Sequence, residues 1–140
     1  MVTPASFSTV IFDFFGVVFD PRTNAAMVGL EDFLRKLSAQ GKVCGIASSS
    51  FTAQIEDFLT QHDLYSYFSV VIGADRVAQT KPHPECYLAV AEFFQADSAD
   101  CVVIDDSAPA LAQAKAAGFQ TIYFAGDLDN FEKIAKLVGL

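Results

Sequence analysis

Four short stretches carry residues that could act together on a phosphate: Asp13, Ser48, Lys81, and the pair Asp105 and Asp106. Two or three carboxylates make a hard oxygen site suited to Mg²⁺. A hydroxyl, a lysine and the amides of a helix N-terminus suit phosphoryl oxygens. A carboxylate can also be the nucleophile, forming an aspartyl-phosphate. Each residue alone fits a plainer role as well. Asp13 and Ser48 suit strand-end turns, Lys81 suits a solvated surface, and Asp105 with Asp106 suits the start of a helix. A common site explains all four at once.

The elements that must position them alternate between strand and helix. Val10, Ile11 and Phe12 form an unbroken apolar run, which predicts a strand buried on both faces. Asp13 ends that run, and Gly16 permits a sharp turn. Met27, Leu30, Leu34 and Leu37 recur at helical spacing before Gly41, with Gly29 placing the firm start at Leu30. Residues 43–47 read as the second strand. Ser48-Ser49-Ser50 follows, with Ser50 the expected N-cap of a helix that faces Phe51, Ile55, Phe58 and Leu59 inward. Residues 70–72 form a third strand. Lys81-Pro82-His83-Pro84 opens a helix with Pro84 at its first position and Tyr87, Leu88, Ala91 and Phe94 inward. His83 is expected to cap that helix, and His62 to be a solvated helix-end residue. Residues 101–104 form a fourth strand, and Ser107 caps an Ala-rich helix that stops at Gly118. Residues 121–124 form the fifth strand. Asp129 and Glu132 read as a capping box for a last helix burying Phe131, Ile134, Ala135 and Val138.

This pattern predicts an α/β fold: a doubly wound, Rossmann-like five-stranded parallel sheet flanked by helices, in one domain over residues 1–140. Right-handed crossovers would bring the polar strand ends to one rim, where open sheets bind ligands.

Composition narrows the function. The chain has 140 residues, is 52% apolar and holds 14 Phe, which predicts a globular domain with a sizeable core. A net charge of -8 disfavours nucleic acid and anionic membranes as partners. No apolar run is long enough to span a bilayer, and residues 1–6 lack a signal-like start. Cys44, Cys86 and Cys101 are widely spaced in apolar surroundings, so they read as buried thiols in a reducing, cytoplasmic setting.

Taken in order, these motifs resemble those of the haloacid dehalogenase-like (HAD) hydrolase superfamily. Asp13-Phe14-Phe15-Gly16-Val17 resembles the Asp-x-Asp-Gly-Thr/Val motif except at Phe15. Ile46-Ala47-Ser48 resembles the strand ending in Ser or Thr. Lys81-Pro82-His83-Pro84-Glu85-Cys86-Tyr87 is similar to Lys-Pro-x-Pro-x-x-Tyr. The acidic pair in Val103-Ile104-Asp105-Asp106-Ser107 is the fourth motif. The resemblance implies that Asp13 attacks phosphorus while Ser48 and Lys81 hold the phosphoryl oxygens. It implies a Mg²⁺ site made by Asp13, Asp106 and the Phe15 carbonyl, with Asp105 as a direct or water-mediated second carboxylate. Phe14, Phe15, Ser48, Ser49 and Lys81 are the candidate substrate contacts. Response-regulator receiver domains use similar groups, but their acidic pair comes first and their Lys last.

Two departures shape the expected activity. Phosphatases of the superfamily carry an Asp where this chain has Phe15; that Asp protonates the leaving group and later activates water. Phe15 predicts a weak or specialised phosphatase. The alternatives are a catalytically retired phosphate- or partner-binding module and a dehalogenase-type hydrolase, since dehalogenases carry an aromatic residue there. The second departure is a missing cap: residues 20–28 are too few for a helical domain. An open site predicts a large phosphorylated substrate, macromolecular in the limit, or a homo-oligomer whose second subunit covers it. Phe14, Phe15, Phe19 and Phe51 are candidates for an exposed contact patch.

Overall fold

The computed structural model describes residues 6–124, 126 and 130–140. The strands are β1 (Thr9–Phe12), β2 (Phe19–Asp20), β3 (Ala25–Ala26), β4 (Val43–Ala47), β5 (Val70–Ile72), β6 (Cys101–Asp105) and β7 (Gln120–Tyr123). The helices are α1 (Leu30–Ala39), α2 (Thr52–Gln61), α3 (Glu85–Phe93), α4 (Ala108–Ala116) and α5 (Asn130–Leu137). Five strands form a parallel sheet in the order β5-β4-β1-β6-β7. The chain winds outward from β1 to β4 and β5, then crosses to β6 and β7 on the other side. β1 is therefore the switch point, and its C-terminal end opens between β4 and β6.

The apolar run of β1 is buried on both faces, as its sequence predicts. Val10 and Phe12 join one core layer, which includes Leu30, Leu34, Ile55, Leu59 and Phe131 from α1, α2 and α5. Ile11 joins the other, with Tyr87, Val90, Ala110 and Ala114 from α3 and α4. Phe12 is the aromatic centre of the first layer, with ring centroids 6.0 Å from Phe33 and 5.6 Å from Phe68. Edge-to-face packing of this kind adds to simple area burial.

Several local expectations are corrected. α2 starts after Phe51 without a side-chain cap from Ser50. Its first amide, on Thr52, instead donates to the Asp75 carboxylate at 2.8 Å, and the Thr52 hydroxyl donates to the same oxygen at 2.9 Å. Phe51 does not face inward but is exposed, and so is Leu88. Pro84 is the N-cap of α3 and not its first helical residue. β7 runs one residue earlier than expected. The Asp129 half of the capping box lies outside the described residues. α1 begins at Leu30 as expected: Gly29 occupies the N-cap with φ 82°, a left-handed conformation that glycine adopts without strain.

Between β1 and α1 the chain holds a small antiparallel hairpin, with Phe19 opposite Ala26 and Asp20 opposite Ala25. Residues 21–24 read as a turn in the sequence, but the two short strands that flank them carry no signal there. Buried Asp20 accepts from the Arg22 amide at 2.9 Å and from Arg22 Nε at 3.0 Å, which holds the turn. Those bonds keep its carboxyl below its ordinary pKa. Cys44, Cys86 and Cys101 are buried free thiols. Among the described residues, no helix is long and apolar enough to cross a membrane.

Candidate active site

The rim above β1 collects the polar strand ends into one open cavity of about 210 Å³. It is lined by Asp13, Phe15, Ser48, Ser49, Ser50, Lys81, Asp105, Asp106 and Ser107. The Asp13 amide continues the sheet ladder by donating to the Ile104 carbonyl at 2.9 Å, which fixes the residue beside β6. The Ser48 amide is held the same way by the Ile72 carbonyl, at 3.0 Å. The Ser48 hydroxyl accepts the Ser50 amide at 3.0 Å, leaving its own proton free to donate.

Lys81 lies at the centre. Its Nζ donates to Asp13 Oδ1 and to Asp105 Oδ2, both at 2.7 Å. Loss of water disfavours the ammonium, but the Asp13 and Asp105 charges more than offset this and raise its pKa. Burial pushes the Asp13 carboxyl up to about 7; Lys81 pulls it down, while the Asp105 charge adds to the rise. Asp105 is fully buried and engaged on both oxygens. Oδ1 accepts the Ser107 amide at 3.0 Å, and Oδ2 accepts the Tyr87 hydroxyl at 2.5 Å besides Lys81. Ser107 then caps α4 by accepting the Ala110 amide at 3.3 Å.

In the sequence Tyr87 reads as an inward-facing core residue and as the last position of the Lys-Pro-x-Pro-x-x-Tyr-like motif, without a role at the site. A tyrosine at a buried position needs a partner for its hydroxyl, and that was the available signal. Asp106, on the next residue, is exposed and packs against the turn at Gly16. Gly16 has φ 87°, and a Cβ there would sit 2.3 Å from Asp106 Oδ2. Only glycine leaves that carboxylate its place.

The donor set suits a hard divalent cation. Asp13, Asp105 and Asp106 each offer an oxygen, and these atoms all lie within 4.8 Å of one another. Asp105 is already committed on both oxygens, so Asp13 and Asp106 have the most capacity left.

The expected residues Asp13, Phe15, Ser48, Ser49, Lys81, Asp105 and Asp106 thus meet around one cavity. Phe14 does not join them. Its ring is buried in the core, stacked on Phe19 at 5.9 Å and edge-on to Phe58 at 5.3 Å. The turn that begins at Asp13 sends consecutive side chains to opposite sides, so Phe15 takes the rim and is 55% exposed. Phe51 is exposed just beyond Ser50, and Phe19 is half-buried. His83 Nδ1 accepts the Glu85 amide at 3.1 Å, the capping role expected of it. His62 packs on Phe58 at 4.2 Å, more sheltered than expected. Neither histidine lines the cavity.

Comparison with known proteins bears on the family and the fold. Residues 17–124 match the family described as haloacid dehalogenase-like hydrolase. The match begins just after the turn that carries Asp13 and Phe15. The bifunctional riboflavin kinase/FMN phosphatase of Arabidopsis thaliana is 37% identical over 98 residues, covering 69% of this chain and 26% of that protein. Hexitol phosphatase B of Escherichia coli is 31% identical over 100 residues, covering 71% of this chain and 45% of that protein. The chain therefore spans less than half the length of these curated relatives. Among solved structures, a HAD-superfamily hydrolase from Geobacter sulfurreducens superposes with a TM-score of 0.82 at 22% identity, covering 95% of this chain and 100% of that one. That likeness speaks to the fold. With a family match over most of its length, phosphatase relatives and this sheet, the chain belongs to the haloacid dehalogenase-like hydrolases, on their phosphatase-like branch.

Proposed function

We propose that the protein is a Mg²⁺-dependent phosphomonoesterase working through an aspartyl-phosphate on Asp13, slow or selective because Phe15 supplies no proton. The observation that supports this most is the meeting of Asp13, Ser48, Lys81 and Asp106 around one cavity. An Asp13 oxygen bonds to phosphorus, and the ester P–O bond breaks with its electron pair leaving on the departing oxygen. Lys81 holds Asp13 in place and offsets its charge. Ser48 donates to a phosphoryl oxygen. Asp13, Asp106 and the Phe15 carbonyl are the groups that would hold Mg²⁺, which when bound offsets the phosphoryl charge. Water then attacks phosphorus, releasing phosphate and restoring the Asp13 carboxylate.

Phe15 can neither protonate the departing oxygen nor take a proton from that water. Such help is worth about 10²–10⁴-fold, so leaving groups stable as anions are favoured. The open rim, with only the β2–β3 hairpin between β1 and α1, supports a substrate larger than a sugar phosphate or a second subunit laid over the site. An efficient monomeric sugar phosphatase would contradict that part.

The test is hydrolysis of p-nitrophenyl phosphate with Mg²⁺ by the native chain, Asp13→Asn and Phe15→Asp. Native turnover lost in Asp13→Asn is the expected result. A silent native chain rescued by Phe15→Asp would mark a retired enzyme. Silence in all three, with no Mg²⁺ binding, would end both readings.

A further inference from the structure

Among the described residues, Phe15 is the one apolar side chain on the cavity wall, beside the phosphate-binding groups Ser48 and Lys81. Its ring is not loosely held. It packs on Phe19 with centroids 5.6 Å apart, and Phe19 packs edge-on to Phe58 at 5.3 Å and stacks on Phe14 at 5.9 Å. The backbone is fixed as well, since the Gly16 amide donates to the Phe19 carbonyl at 2.8 Å and Phe15 bridges Phe19. The ring is thus anchored to a row of aromatic side chains, while 55% of the residue faces solvent at the cavity mouth. An ordered aromatic ring beside a phosphate site is a platform for a second ring.

We infer that Phe15 is a specificity residue that stacks on the leaving group, and that the substrate is an aryl phosphate: a phosphate ester of a phenol-type hydroxyl. This rests on the phosphatase reading above. The electronic and packing arguments are independent and agree. A phenol departs as a stabilised anion, so its P–O bond breaks without a donated proton, and its flat ring can stack on the solvent-exposed Phe15 side chain. Aliphatic sugar phosphates meet neither condition.

The experiment separates the two arguments. Binding of phenylphosphonate and methylphosphonate, which share the phosphoryl group and resist hydrolysis, is measured by calorimetry with Mg²⁺ for the native chain and Phe15→Leu. The native chain is expected to prefer phenylphosphonate by about 3–10-fold, the range a single aromatic pair provides. The preference should fall to near unity in Phe15→Leu. Equal affinities in the native chain, a preference that survives Phe15→Leu, or no binding of either compound would overturn the inference. A turnover arm compares phenyl phosphate with a fluoroalkyl phosphate whose alcohol is as acidic as phenol. Faster turnover of the phenyl ester supports stacking, and equal turnover overturns it. Turnover surviving in Asp13→Asn would instead overturn the phosphatase reading. A phosphotyrosyl peptide cleaved faster than phenyl phosphate would place the ring on a protein, and the reverse would place it on a small molecule; either supports the aryl class.

Discussion

The Tyr87 hydroxyl donates to Asp105 Oδ2 at 2.5 Å, inside the protein and away from the cavity mouth. The same oxygen accepts from Lys81. Tyr87 thus sets where Asp105 points, and Asp105 helps to set where Lys81 and Asp13 meet. Tyr87→Phe removes a hydrogen bond to a charged group, so it should cost about 1.5–3 kcal/mol of stability. Denaturant unfolding would measure this. Turnover of an activated aryl phosphate should fall through kcat with little change in KM. A variant as stable and as active as the native chain would show the bond to be incidental.

Gly16→Ala puts a Cβ against Asp106 and forces a side chain into left-handed backbone. The backbone strain alone costs on the order of 1–3 kcal/mol, and the clash should displace the carboxylate. The expected outcome is a lower Tm together with weaker Mg²⁺ binding by calorimetry. A lower Tm with unchanged Mg²⁺ affinity would separate Asp106 from the cation.

Asp20 and Asp75 both carry carboxyls held below their ordinary pKa, by Arg22 in the first case and chiefly by the Thr52 amide in the second. A carboxyl with a depressed folded pKa binds fewer protons folded than unfolded around pH 4. Its stabilisation is therefore present above the unfolded value, near 3.9, and is lost as pH falls through the lower folded value. The Tm of the native chain should drop across that window. Asp75→Ala should lower Tm by about 3–8 °C at neutral pH, the usual effect of a lost helix cap. Below pH 4 the variant and native curves should converge. Parallel curves would mean that the Asp75 charge contributes nothing.

Burial pushes the Cys44 thiol up to about 12, and the Cys86 and Cys101 thiols to about 11. At pH 8 the folded protein should leave all three unlabelled by a thiol-disulfide reagent, because the thiolate is the reactive form. All three should react once denaturant unfolds the chain. Rapid labelling of the folded protein would show that one of them is more accessible than its burial implies.

Much of this architecture is legible in the residues. Buried parallel strands need continuous apolar runs, so β1, β4 and β6 announce themselves, and each ends at or just before a residue that lines the rim. The rest depends on contacts that the sequence does not mark. Phe14 and Phe15 are the same side chain on neighbouring residues, and only the turn geometry decides that one fills the core and the other faces the cavity. Ser50 looked like the cap of α2 because it stands next to the helix. The actual acceptor, Asp75, lies 23 residues beyond Thr52, after β5. The two-residue strands β2 and β3 are too short for any alternation of apolar and polar residues to reveal them.

That small hairpin also makes the chain a scaffold. Residues 21–24 at its tip are exposed, and the two strands leaving the tip run side by side. A guest module whose own ends lie close together could be spliced between Asp20 and Ala25 without moving any strand of the main sheet. Grafting different roofs at that seam would change what reaches Asp13 while leaving the chemistry beneath it untouched.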